Sequence, residues 1–151
     1  MIRIIPYALA LLLLLGACTP SVEYSDWRGP ERDGIYPESG LLKQWPEAGP
    51  ELLWSYEGLG YGHSAVAVAN DKVYVTGVKD SAQSMGTLFT FDLKGTLLWE
   101  TAYGPDFTDN FIGTRSTPVV VDEHLYVVSG SGAMYCLSAE NGDEIWSIDF
   151  I

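Results

Sequence analysis

Three tryptophans at nearly equal spacing constrain the fold of this chain more than any other feature. Trp54, Trp99 and Trp146 each follow a short apolar run, and they are separated by 45 and 47 residues. A period of this size is typical of propeller blades and other repeat architectures, in which each repeat is one supersecondary unit. The chain is therefore expected to fold as a series of similar units.

Other positions inside the period repeat as well. Residues 70–75 match residues 122–127 at an offset of 52, and residues 86–91 match residues 132–137 at an offset of 46. A longer loop in the first copy, Lys79–Met85, accounts for the difference between the offsets. Insertions between repeats belong in such loops.

Short β-branched and aromatic runs, separated by Gly, Asn and Asp, predict four antiparallel strands in each period, which together make one propeller blade. The predicted strands are Ala65–Ala69, Lys72–Thr76, Thr87–Leu93 and Thr96–Ala102 in the first blade, and Thr117–Val121, His124–Ser129, Ala133–Ala139 and Asp143–Phe150 in the second. Leu52–Tyr56 reads as one extra copy of a last strand. The predicted fold class is thus all-β, a partial propeller over residues 51–151 with no long helix.

The N-terminus predicts export. One positive charge at Arg3 precedes an apolar run of 12 residues, Ile4–Leu15, which is a signal-peptide layout and falls short of the roughly 20 residues that a membrane-spanning helix needs. The run ends in Leu-Gly-Ala before Cys18, which resembles the bacterial lipobox and implies a signal peptide over residues 1–17 and lipidation of Cys18. An ordinary secretory signal cleaved near Ala17 is the alternative.

Removal of residues 1–17 would leave seven Lys and Arg against 20 Asp and Glu, a net charge of −13. Such acidity argues against a nucleic-acid partner. With Cys18 lipidated, Cys136 has no partner for an intrachain disulfide. We expect it to be a small buried side chain in a strand, because no cation or histidine lies near it in sequence to favour the alternative of a reactive thiol.

Residues 18–50 are rich in Pro, Gly and charge, so they predict an irregular tether followed by an extended segment. Trp27 and Trp45, together with Trp54 just after the segment, favour docking of its later half on an apolar surface.

Two turns resemble a known family. Gly95 and Gly142 each precede a repeat tryptophan by four residues, which matches the Thr-Gly-x-x-x-Trp core of the PQQ-like β-propeller repeat proteins. The Trp-Arg-Gly-Pro opening at Trp27 is similar to that of secreted quinoprotein-like proteins, and the lipoprotein layout resembles that of BamB-like lipoproteins. In this family the tryptophans dock adjacent blades, which implies that role for Trp54, Trp99 and Trp146.

The resemblance leaves two functions open. A quinoprotein dehydrogenase would hold pyrroloquinoline quinone (PQQ) with calcium and would use an adjacent cysteine pair, a stacking tryptophan and a carboxylate and amide set. The sequence has no Cys-Cys pair and no cluster of oxygen ligands at metal-site spacing, so PQQ is implied by the resemblance alone, and no catalytic or metal-binding residue is predicted. A non-catalytic binding or scaffolding module with a protein or glycan partner is the favoured function.

The candidate ligand-binding residues come from aligning the two repeats. His63-Ser64 and Arg115-Ser116 are equivalent at the offset of 52, and each pair lies just before the innermost strand of its blade, at the mouth of the central channel. The alternative is that His63 and Arg115 only bond neighbouring backbone or carboxylates.

The blade count leads to a further set of expectations. Two blades would leave open faces where closed propellers have about 4 to 8 blades, so we expect the sequence to be the N-terminal part of a larger propeller. Trp146 should then be less protected than Trp99. Near the N-terminus, three charged residues are expected to form a structural ion-pair set at ring closure: Arg28, Arg32 and Asp33.

Overall fold

The structure is a computed structural model that describes residues 24–25, 27–29 and 31–151. The predicted signal segment 1–17 and the predicted lipidation site at Cys18 lie outside these residues. The described part contains nine strands and no helix, so it holds no helix that could cross a membrane. The strands are β1 (Tyr24–Ser25), β2 (Ala67–Ala69), β3 (Lys72–Val78), β4 (Met85–Asp92), β5 (Leu97–Pro105), β6 (Val119–Val121), β7 (His124–Val128), β8 (Ala133–Ser138) and β9 (Glu144–Asp149).

The strands form two antiparallel sheets, which we call blade 1 and blade 2. Blade 1 has the order β2-β3-β4-β5, and blade 2 has the order β1-β6-β7-β8-β9. Each blade thus contains four strands that follow one another along the chain, as in a propeller blade. The predicted all-β fold with two four-stranded antiparallel blades is confirmed.

The predicted strand boundaries are right to within a few residues, and the deviations follow the pairing. The inner strand of blade 1 shortens to Ala67–Ala69, because it pairs with β3 only over these residues. The last strand of blade 1 instead extends to Pro105, which pairs with Met85 at the start of β4. The loop inserted in blade 1 consequently spans residues 79–84, one residue fewer than predicted.

The prediction of a strand at Leu52–Tyr56 is wrong. Residues 51–60 form no strand, because a strand needs a ladder partner and no described residue pairs with them. The segment is instead held by its side chains. The Trp54 and Tyr56 rings lie 5.8 and 4.7 Å from the Phe91 ring, and the Trp54 Nε1–H donates to the Leu93 carbonyl at 3.1 Å.

The expected docking of the earlier tryptophans is also wrong. Trp27 and Trp45 are 60% and 64% exposed, whereas Trp54 is half-buried. The apolar face of blade 1 is already covered by Trp54, Tyr56 and Leu59, which pack on a buried cluster. The residues before them therefore have little apolar surface left to cover.

The main core lies between the two blades. Tyr74 and Leu88 of blade 1 pack against Leu125, Val127 and Leu137 of blade 2, and all five are 0 or 1% exposed. Alternate residues of a strand point to opposite faces of a sheet. The side chains between these core positions therefore belong to the two outer faces.

The repeat tryptophans meet glycines of the following turn. A Cβ added at Gly95 would lie 2.6 Å from the Trp54 ring, and one added at Gly142 would lie 2.7 Å from the Trp99 ring. Both glycines have positive φ angles, 86° and 79°. The turn thus needs glycine twice, once for its backbone conformation and once for the close approach of the indole.

Strand β1 was not predicted. Tyr24 pairs with Val121 and Ser25 with Val120, so β1 extends blade 2 beyond its innermost strand. Two residues are too few for a sequence pattern of alternating polarity, and this strand exists because β6 offers an unpaired edge.

Candidate functional site

A pocket of about 450 Å³ opens between the blades, at the end where β2 and β6 begin. It contains residues from both repeats at equivalent positions and one residue from the N-terminal segment. We call it the channel-mouth pocket, and its lining consists of Trp27, His63, Ala65, Arg115, Ser116, Thr117 and Val119.

The backbone before β2 is fastened to the backbone before β6. The His63 N–H donates to the Thr114 carbonyl at 2.7 Å, and the Ala65 N–H donates to Thr117 Oγ1 at 3.0 Å. Each bond joins one repeat to the other. The two candidate positions, His63 and Arg115, are therefore held side by side by the chain that carries them.

A buried threonine strengthens this connection. Thr76 is 2% exposed, and its Oγ1 lies 3.0 Å from Ser64 Oγ, 3.0 Å from Thr114 Oγ1 and 3.1 Å from the Ser116 carbonyl oxygen. A buried hydroxyl with several partners fixes the relative position of the groups around it. Ser64 is drawn into this network and does not line the pocket, unlike the other three candidates.

Arg115 is positioned by an aromatic ring and a carbonyl. Its guanidinium carbon lies 4.3 Å from the centre of the Phe107 ring, and Nη2 donates to the Phe111 carbonyl at 3.0 Å. Arg115 therefore does bond neighbouring backbone, as the alternative expected, but this bond uses only one of its five N–H donors. The stacked guanidinium keeps other donors available in the pocket.

His63 and Ser116 complete the polar lining. His63 is exposed, and within the described part of the chain no hydrogen-bond partner of its imidazole is found. Ser116 Oγ accepts the Val128 N–H at 3.1 Å, which ties the pocket to strand β7. The arrangement can therefore offer a cation, an imidazole and a hydroxyl to one ligand.

The sequence interpretation missed two aromatic residues of the site. Trp27 was assigned to docking, yet it lines the pocket, and Phe107, which was not singled out, carries the stacked Arg115 guanidinium. The Arg28 guanidinium lies 5.9 Å from the centre of the Trp27 ring. Asp33, which was expected to join Arg28 in an ion-pair set, accepts the Ile35 N–H through Oδ1 at 2.8 Å. An exposed tryptophan outside the repeat pattern is the signal that could have indicated a binding role.

Asp106, which the sequence interpretation also missed, is a buried carboxylate next to the site. It is 5% exposed, and it accepts hydrogen bonds from the Tyr103 hydroxyl at 2.7 Å, the Phe107 N–H at 2.8 Å and the Gly130 N–H at 3.0 Å. Burial, followed by the bond to Asp106, raises the pKa of Tyr103 far above its ordinary value. The Asp106 carboxylate thus ties the chain segment that links the two blades to the turn between β7 and β8, and its role is structural.

Cys136 has the environment of a buried structural residue. It is 0% exposed and is a free cysteine. Burial raises the pKa of its thiol, which lowers the fraction of reactive thiolate. The expectation of burial is confirmed.

The residues of the pocket do not fit the calcium-bound quinone of the PQQ dehydrogenases. The described lining contains no carboxylate or side-chain amide to ligate calcium. No group of three His, Cys, Asp or Glu in the described residues could hold a metal ion. The donor set is instead cationic and hydroxylic.

A second groove, of about 330 Å³, lies at the opposite ends of the strands, where Lys72, Glu123 and His124 are among the lining residues. The Lys72 ammonium there donates to the Ala139 carbonyl at 3.2 Å. This groove mixes charges of both signs, whereas the lining of the channel-mouth pocket has basic residues and no acidic one.

Comparison with known proteins agrees with the blade architecture. A family model described as outer membrane protein assembly factor BamB matches residues 36–150. A comparison with curated proteins gave no match. The match to the family model spans both blades and more than half of the sequence, so the chain belongs to this family of PQQ-like β-propeller repeat proteins.

Proposed function

We propose that this chain is a non-catalytic binding or scaffolding module of the cell envelope, and that it holds its ligand in the channel-mouth pocket. The observation that carries the proposal is the convergence of His63 and Arg115. These residues occupy equivalent positions in two repeats, and both line one pocket of about 450 Å³. Pockets of this size that gather a few polar groups are the usual sites of ligand binding.

The alternative, a fragment of a PQQ-dependent dehydrogenase, has less support. Fold alone does not transfer a reaction from one member of a family to another. The pocket offers donors of hydrogen bonds where calcium would need oxygen ligands. A protein or a glycan is therefore a better partner class for this site than the quinone cofactor.

Attachment to the membrane is the second part of the proposal. The Leu-Gly-Ala-Cys sequence ending at Cys18 supports lipidation, and the family description supports an envelope location, with the periplasmic face of the outer membrane favoured. Thr19 is not the acidic residue that favours retention in the inner membrane. We expect the wild-type protein to enter the detergent phase on partitioning and Cys18→Ser to stay in the aqueous phase. Equal solubility of the two forms would refute the anchor.

Binding at the pocket can be tested by probing arrays of glycans and peptides with labelled protein. We expect His63→Ala/Arg115→Ala to lose at least about tenfold in affinity for whichever ligands the wild type binds, because the double variant removes both basic side chains of the pocket. His124→Ala/Lys43→Ala is the matched control, since it removes one histidine and one cation at exposed positions away from the pocket.

Two results would contradict the proposal. One is equal loss of binding in the pocket variant and in the control, which would place the ligand elsewhere. The other is a rise in melting temperature when PQQ and Ca²⁺ are added, abolished in the pocket variant, which would favour the dehydrogenase alternative.

A further inference from the structure

We infer that the ligand of the channel-mouth pocket is a saccharide that carries a carboxylate. The inference rests on the proposed function, which places a ligand in this pocket, and it adds the chemical class of that ligand. The charge of the pocket, its hydrogen-bond donors and the backbone around it support this ligand class.

The charge of the pocket is opposite to that of the chain. The sequence has 20 Asp and Glu against eight Lys and Arg, yet the lining contains His63 and Arg115 and no acidic residue. An acidic protein repels anions over most of its surface. The Arg115 guanidinium, with no acidic residue beside it in the lining, therefore selects where an anionic group can approach.

The hydroxyls of the pocket are arranged as donors. Ser116 Oγ accepts the Val128 N–H, and Thr117 Oγ1 accepts the Ala65 N–H. Each hydroxyl thus has an acceptor site filled by backbone, while its own hydrogen can be donated to a ligand. Arg115 contributes only donors, so the polar groups of the pocket together suit a ligand that accepts hydrogen bonds.

A carboxylate fits such a set better than a neutral group. Hydrogen bonds to an ionised acceptor are shorter and roughly twice as strong as those between neutral groups. The Arg115 guanidinium is already stacked on Phe107, so little side-chain freedom remains to be lost when it binds.

The backbone around the pocket disfavours an extended peptide. The edge of β6 is paired with β1, and the Ala65 N–H at the entry to β2 is bonded to Thr117 Oγ1. A peptide would have to displace β1 to add to β6 as a further strand over Val120 and Val121, which is how extended peptides commonly bind to sheets. Trp27, 60% exposed, instead offers an aromatic surface to a compact ring.

The test is isothermal titration of the whole chain with acidic oligosaccharides, each paired with its methyl ester. A panel of galacturonate, glucuronate and muramate oligosaccharides covers different positions of the carboxylate, and the ester removes the charge while keeping the ring. We expect at least one acidic form to bind at least about tenfold more tightly than its ester, and this preference to disappear in Arg115→Ala. Arg115→Lys should bind less tightly than wild type, because it keeps the charge and loses the planar fork.

Each alternative result has a defined meaning. Equal binding of every acid and its ester would overturn the role of the carboxylate while leaving the pocket as a binding site. Tighter binding of a triglutamate peptide than of any saccharide would overturn the saccharide class. Binding of array ligands but of no member of the panel would refute this inference alone. The proposed function is tested separately, and it also fails if the pocket variant binds those array ligands as the wild type does. Unchanged melting of Arg115→Lys excludes misfolding as the cause of lost binding.

Discussion

The outer faces of the two blades are opposite faces of the repeat, and they differ in what covers them. On blade 1, Trp54, Tyr56 and Leu59 lie over the buried cluster that contains Phe89 and Phe91. On blade 2, no described residue forms a comparable cover, and the large apolar side chains Trp146, Ile148 and Phe150 are 42, 51 and 59% exposed.

The geometry of the aromatic residues is set within each blade, and their burial depends on the neighbouring blade. The ring centres of Tyr74 and Trp99 in blade 1 are 6.3 Å apart, and those of Tyr126 and Trp146 in blade 2 are 6.1 Å apart. The aromatic pair therefore has almost the same geometry whether or not another blade packs over it. Each blade arranges its own aromatic residues, and the neighbour supplies the burial.

The largest expected effect is a difference between two equivalent tryptophans. Trp99→Ala removes an indole that packs against the core between the blades, and it should lower the free energy of unfolding by about 3 kcal/mol, as large-to-small substitutions in cores do. Trp146→Ala should cost about 1 kcal/mol or less, because the side chain is uncovered and exposed substitutions change stability little. Urea unfolding followed by circular dichroism measures both values. Equal losses would mean that blade 2 is covered in solution.

The close approach of Trp99 to Gly142 provides the next comparison. Gly142→Ala should cost about 2 to 4 kcal/mol, the sum of a left-handed backbone penalty and a clash with the indole. Gly49→Ala is the matched control: Gly49 has a φ of 80°, but a Cβ there meets nothing within 4 Å, so it should cost only about 1 to 2 kcal/mol. Equal losses of unfolding free energy in Gly142→Ala and Gly49→Ala would mean that Trp99 does not contact the turn closely and that its docking contributes little to stability.

The smallest effect concerns the indole nitrogen. Trp54 Nε1 donates to the Leu93 carbonyl, whereas Trp99 Nε1 is buried without a partner among the described residues. The turn of blade 2 is one residue longer, and its corresponding carbonyl, that of Ala139, accepts from the Tyr74 hydroxyl and the Lys72 ammonium instead.

Replacement by phenylalanine should therefore act differently at the two sites. Trp54→Phe is expected to cost about 1 kcal/mol through the lost hydrogen bond, and Trp99→Phe to be closer to neutral, because it also removes an unsatisfied donor. The same urea titrations measure the difference. A larger loss at Trp99 than at Trp54 would indicate that a bound water satisfies Trp99 Nε1.

The repeats in the sequence were enough to predict the blades, because a blade is built from local contacts that recur. Spacing alone placed Gly95 and Gly142 in turns before Trp99 and Trp146, and the structure adds that the tryptophan of the preceding repeat packs on each turn. The cover of blade 1 could not be predicted, since Leu52–Tyr56 has the composition of a last strand and lacks only the partner that would make it one. Composition describes the side chains of a segment but not the availability of a neighbouring edge.

The site was predictable to a similar extent. Alignment of the repeats indicated His63, Arg115 and Ser116, which line the pocket, because equivalent positions meet where blades converge. Ser64 was indicated for the same reason but bonds inward to Thr76. Trp27 lies outside the repeats, and its place in the pocket depends on how the N-terminal segment crosses blade 2, which no period in the sequence encodes.

The direction of β1 bears on how the proposed anchor would present the site. Tyr24 pairs with Val121, at the end of β6 remote from the pocket, and the chain then runs toward Trp27 at the pocket itself. A lipid on Cys18 would lie six residues before Tyr24, at most about 20 Å away along an extended chain. The proposed anchor would thus hold the blades by the end opposite the pocket. A tether of this length is longer than strand β6, so the blades could turn on it and the pocket could take its ligand from the aqueous compartment.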